Sequence, residues 1–124
     1  RNASDAECEA MDQDIRAVAA KLSEKTGLPI KIDLVSSYPA QPFNADCIEA
    51  VRCGAEQLGY SHMPVVSGAG HDAVYMARLA PAGMIFIPCK DGISHNEIED
   101  AKPEHITAGC NVLLHAMLER AKAV

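Results

Sequence analysis

Apolar residues recur at helical spacing early in the chain, where Cys8, Met11, Ile15, Val18, Ala19 and Leu22 share one face. Ser4-Asp5-Ala6-Glu7 ahead of them has the form of a capping box, Gly27 supplies a left-handed stop, and Pro29 follows. A helix is predicted between Ser4 and Gly27. Residues 30–35 alternate apolar and polar, which predicts a strand with one buried face. The polar, proline-rich stretch 36–42 reads as a linker. A second helix is predicted from Asn44, with Cys47, Ile48, Val51, Ala55 and Leu58 on one face and Gly59 as its stop. Residues 63–66 and 84–87 are short apolar runs, each predicted as a buried strand. Between them a third helix is expected from His71 or Asp72 to about Leu79. Residues 89–102 have no periodicity and read as loop. Pro103 suits the first position of a final helix with Glu104 in its first turn. Ile106, Cys110, Leu113, Leu114, Met117 and Leu118 form its apolar stripe. Gly109 inside that helix costs about 1 kcal/mol relative to Ala, and close packing is its expected reason.

From Asn44 onward the order is helix, strand, helix, strand, helix, and the two strands are apolar throughout. That pattern predicts an α/β fold with a parallel sheet covered on both faces. The first helix and alternating strand are a different piece. One strand cannot make a sheet, so their partners are expected elsewhere.

At 124 residues the chain is one domain or two small pieces. Seventeen acids against 11 Lys+Arg give a net charge of −6, which disfavours nucleic acid and anionic membranes as partners. No apolar stretch approaches the roughly 20 residues of a membrane span, and no signal peptide is visible. The five cysteines are odd in number and lack a C-x-x-C, so a reduced, cytoplasmic protein is expected. His62, His105 and His115 lie off the apolar stripes and are expected at the surface, whereas Met76, Met84 and Met117 are expected in the core.

Two loops concentrate chemistry, each after a short apolar run. Ser67-Gly68-Ala69-Gly70-His71-Asp72 has glycines that would let backbone N–H groups meet an anion or carbonyl, with His71 and Asp72 at the helix start. The alternative is a tight turn in which Asp72 only favours the helix dipole. The loop lacks the lysine of a phosphate-binding loop. Asp91-Gly92-Ile93-Ser94-His95-Asn96-Glu97-Ile98-Glu99-Asp100 places an imidazole among carboxylates, which suits a divalent metal. Its alternative is a solvated acidic loop. One histidine cannot hold a catalytic metal alone. No G-x-S-x-G marks a serine nucleophile, and no base is evident beside Cys89.

Taken together, Ser67-Gly68-Ala69-Gly70-His71-Asp72-Ala73, Met84-Ile85-Phe86-Ile87-Pro88 and Gly92-Ile93-Ser94-His95-Asn96 resemble the metal-dependent N-carbamoyl-L-amino-acid hydrolase and allantoate amidohydrolase family. That family is grouped with the aminoacylase-like and carboxypeptidase-like binuclear zinc hydrolases. The resemblance implies a two-domain metallohydrolase of which this is the carboxy-terminal part. Residues 1–39 would be a helix–strand piece of a lid and dimerisation domain. Residues 40–124 would be a helix–strand–helix–strand–helix piece of an α/β/α catalytic domain. It also implies two divalent ions, Zn²⁺ or Mn²⁺, a small N-carbamoyl or ureido substrate, and a homodimer. His95 matches a metal-ligand histidine, and Glu99 the acid of an H-x-x-x-E pattern that supports the ligands from behind, a role extended to Asp72. Gly70 and His71 match the loop against which substrate lies, and Arg1 a lid arginine that grips a substrate carboxylate. The family's other metal ligands and its general base have no counterpart in this sequence, so the chain alone is expected to be inactive. The alternative function is a non-catalytic fragment, or a subunit that completes its site with another chain.

Overall fold

A computed structural model of the chain describes residues 2–122. The chain divides into two compact units. The first ends at Pro42 and also includes Val66–Ala69; the second comprises Phe43–Val65 and the described residues from Gly70 onward.

In the first unit, α1 (Asp5–Thr26) begins where the sequence signals it should. The Ser4 hydroxyl accepts from the Glu7 N–H at 3.3 Å, and Gly27 at φ 70° returns its own N–H to the Ser23 carbonyl. An extended segment then runs back along the helix. Arg16, held to Asp12 at 2.7 Å, donates to the Ile32 carbonyl at 3.2 Å, and the Ala40 N–H donates to Asp5 Oδ1 at 2.7 Å. The apolar stripe of α1 is not covered: Met11 is 44% exposed and Ile15 56%.

The second unit is built on α2 (Ala45–Gln57) and α4 (Pro103–Ala121), which pack antiparallel with Asp46 near Arg120 at one end and Tyr60 near Asn111 at the other. Asn44 caps α2 by accepting from the Cys47 N–H at 3.0 Å, while its own N–H donates to the Ala82 carbonyl. Pro103 takes the first turn of α4, as its fixed φ favours. The buried residues are small: Ala50, Gly54 and Ala55 in α2, Val112 and Ala116 in α4. A Cβ on Gly54 would lie 3.1 Å from the His115 Cβ, and one on Gly109 would lie 2.7 Å from an Ile87 methyl. Close packing is therefore the reason for Gly109. Between these helices lie α3 (Ala73–Ala77) and a 3₁₀ turn at Lys90–Gly92.

The α/β expectation is overturned. The described residues are helical or irregular, and none forms a β-strand. Segments 30–35, 63–66 and 84–87 run without a ladder, since no backbone hydrogen bond joins one of them to another. A strand exists only through a neighbour that takes its N–H and C=O groups. Apolar character in a short run reports a preference for burial, not the presence of such a neighbour. Val65 and Val66 are exposed. The third helix is also shorter than its pattern suggested, ending at Ala77. Met76 and Met117 are exposed rather than buried, while Met84 is half-buried. His105 and His115 are half-buried, not at the surface, and His62 is exposed.

Candidate functional site

Residues 89–102 form a loop that closes on itself. The Lys90 N–H donates to the Asp100 carbonyl at 2.7 Å, bringing the two ends together. Inside it, the Ile93 N–H donates to the Lys90 carbonyl, and Asn96 accepts twice, through its carbonyl from Glu99 and through Oδ1 from Ile98. The chain reverses through left-handed residues: Asp91 at φ 55°, Gly92 at φ 68° and His95 at φ 57°. For an L-residue such as His95 this region is sparsely populated and must be held by its surroundings.

The hold is visible. Glu99 Oε2 accepts the His95 N–H at 2.8 Å, and the Cys89 thiol lies 3.8 Å from Glu99 Oε1 as a weak donor. His95 itself is exposed. His95 and Glu99, both singled out by the sequence, are thus brought together, but through the backbone N–H of one and the carboxylate of the other. The sequence weighed Cys89 only as a nucleophile without a base, and its contact with Glu99 escaped notice because a thiol ten positions from its partner carries no local pattern.

The glycine-rich loop is split between the two units after Ala69. In the first, Ser67 accepts from the Ala69 N–H through its hydroxyl at 3.2 Å. In the second, Gly70 has no atom within 4 Å of where a Cβ would stand, and its φ is not left-handed. Neither conformation nor packing among the described residues requires glycine there. His71 is half-buried with its ring edge-on to Phe86, centroids 5.5 Å apart at 66°. The sequence placed Phe86 in an apolar run and did not pair it with His71. Asp72 stands at the start of α3 without a side-chain cap, and five residues are too short to develop the dipole offered as the alternative for this loop. Arg1 lies outside the described residues.

Among the described residues no three His, Cys, Asp or Glu side chains come together as a metal-holding group. A catalytic zinc needs at least three protein ligands, and the described residues do not bring such a set together. No helix of the described residues is long and apolar enough to cross a membrane.

The description Peptidase family M20/M25/M40 matches residues 6–119. An N-carbamoyl-L-amino-acid amidohydrolase of Rhizobium meliloti is 45% identical over 124 residues, covering all of this chain and 30% of the relative. A ureidoglycolate hydrolase of Oryza sativa subsp. japonica is 34% identical over 106 residues, covering 85% of this chain and 22% of the relative. The crystal structure of an amidase of the hydantoinase/carbamoylase family from Burkholderia multivorans superposes with a TM-score of 0.94 at 50% identity, over 98% of this chain and 29% of that one. The chain therefore spans less than a third of the length of these proteins.

Proposed function

The chain belongs to peptidase family M20/M25/M40, and from that premise we propose that it is part of a metal-dependent amidohydrolase. The enzyme cleaves a linear C–N amide, an N-carbamoyl or ureido group, of a small amino-acid-like substrate. The observation that carries this is the exposed His95, held at positive φ by a self-bonded loop, in a chain 45% identical to an N-carbamoyl-L-amino-acid amidohydrolase. An exposed histidine on a fixed backbone suits a metal ligand better than it suits a merely solvated acidic loop. Divalent ions such as Zn²⁺ or Mn²⁺, when bound, supply Lewis acidity toward the scissile carbonyl.

In this reading residues 1–39 belong to a lid and dimerisation domain and residues 40–124 to a catalytic domain of a cytoplasmic homodimer. Gly70 leaves room for substrate to meet the backbone, and His71, steadied by Phe86, lines the same approach. Arg1 grips the substrate carboxylate through its planar fork. Asp72 supports the site from behind. A second reading, a non-catalytic fragment or a subunit that completes its site with another chain, is favoured by the lack of a three-ligand group among the described residues.

The test is His95→Ala in the full-length protein, scored by bound metal and by turnover of an N-carbamoyl-L-amino acid. Both are expected to fall, turnover by about a hundredfold or more if the imidazole holds a catalytic ion. Full activity with full metal content removes His95 from the metal shell. The isolated 124-residue chain is expected to turn over no substrate.

A further inference from the structure

A carboxylate four residues after a histidine invites the idea that it steadies the imidazole ring, but Glu99 contacts the His95 backbone. Oε2 accepts the N–H of His95 at 2.8 Å, and His95 is one of two non-glycine residues at positive φ among those described. The acid is itself anchored at both ends. Its own N–H donates to the Asn96 carbonyl at 3.0 Å, and its other oxygen faces the Cys89 thiol at 3.8 Å, across the mouth that Lys90 and Asp100 close. Local bonds thus fix Glu99, and Glu99 fixes the one N–H whose capture favours the left-handed turn at His95. Without that acceptor, His95 is free to relax to negative φ, which re-aims its Cα–Cβ bond.

We infer that Glu99 is a positioning residue that sets the direction of the His95 imidazole by capturing the His95 main-chain N–H, with Cys89 steadying its second oxygen. The consequence for metal rests on the reading of His95 as a metal ligand; the backbone role does not. Gln keeps an acceptor oxygen at the same reach and loses the charge, whereas Ala removes the acceptor. Glycine at position 95 occupies positive φ without penalty and so has no need of Glu99.

The experiment uses the full-length protein and reads hydrogen–deuterium exchange of a peptide spanning 93–99. Glu99→Ala is expected to speed exchange at the His95 amide roughly tenfold or more, as loss of a bond to a charged acceptor implies, and Glu99→Gln to restore most of the protection. Thermal unfolding closes a cycle: Glu99→Ala should lower the Tm of the parent by about twice or more what it does in a His95→Gly background. Zinc affinity, read by competition with a chromophoric chelator, should fall roughly ten- to a hundredfold for Glu99→Ala and recover for Glu99→Gln. Unchanged exchange in Glu99→Ala overturns the inference, as does Glu99→Gln behaving like Glu99→Ala, or an equal Tm loss in both backgrounds. If His95→Ala keeps its zinc while Glu99→Ala still speeds exchange, the positioning role stands and the metal reading falls.

Discussion

The α2–α4 pair and the loop 89–102 lie in the same unit, yet different forces hold them. Between the helices small residues allow close approach: Gly54 meets Val112 and His115, Ala50 and Ala116 are buried, and side-chain contacts pair Arg120 with Asp46 at 3.8 Å and Asn111 with Tyr60 at 3.4 Å. Burial of Val112 alone is worth about 1.5 kcal/mol. The loop buries almost nothing and spends its main-chain groups on itself, through Lys90–Asp100, Ile93–Lys90 and His95–Glu99. A contact made by packing resists any change of volume. A conformation made by hydrogen bonds resists loss of one acceptor and tolerates changes of side-chain bulk at the tip. The glycines divide along the same line. Gly54 and Gly109 have atoms where a Cβ would go, and Gly70 has open space.

The largest effect expected from that contrast is at Gly54. Val there places its Cβ 3.1 Å from the His115 Cβ and 3.4 Å from the Val112 carbonyl oxygen, a main-chain atom that cannot swing away. Gly54→Val should cost about 2–3 kcal/mol by overpacking, despite the gain of removing a helical glycine. Denaturant unfolding of the full-length protein checks it. A loss of less than about 0.5 kcal/mol would mean that α2 and α4 slide apart freely and that the pair is not the rigid partner in the comparison.

Gly70→Val should do the reverse. With nothing within 4 Å of the new Cβ, stability should stay within about 0.5 kcal/mol of the parent. If the loop meets substrate as proposed, turnover of an N-carbamoyl-L-amino acid should nevertheless drop, with KM raised roughly tenfold, because the side chain would fill the space in which substrate meets the backbone. Equal losses in stability and activity would class Gly70 with Gly54 and remove it from the substrate loop.

How far each region was legible in the sequence follows the same physics. Ser4, Gly27, Asn44 and Pro103 marked helix ends correctly, because a cap is a local bond between residues a few positions apart. Gly109 was legible as a packing glycine because its helical cost demanded a reason. The strands read at 63–66 and 84–87 do not form among the described residues, and the sequence could not show this, since nothing in Met63 or Ile85 says whether a ladder partner exists. In the loop, His95 and Glu99 could be picked by residue type, but the positive φ of His95 and the contact with Cys89 depend on closure by Lys90 and Asp100. The separation of Ser67 from Gly70 into different units was equally invisible, because the motif reads as one continuous run.

The smallest expected effect tests the outer face of α2, where charges pair in full view of solvent. Arg52 bonds both Glu49 and Glu56, and Glu49 also accepts from the Cys53 thiol at 3.3 Å. The hydrogen bond from Arg52, then that from Cys53, holds the Glu49 carboxyl below the usual carboxylate range. The same carboxylate, followed by burial, pushes the Cys53 thiol up. A carboxyl with a depressed folded-state pKa adds stability above its unfolded value of about 4.3 and loses it as pH falls through the folded value. Glu49→Gln should therefore lower the Tm slightly at neutral pH, and the gap to the parent should close under acid. Salt should shrink it too, because an exposed pair is screened. The thiol gives an independent readout in the opposite pH range. With Glu49 gone, Cys53 loses the group that keeps its proton on, so alkylation near pH 8 (a point at which about a quarter of ordinary thiols are ionised) should become faster in Glu49→Gln than in the parent. Unchanged alkylation would show that Glu49 turns to Arg52 alone in solution, and the gap in Tm would then report a single ion pair.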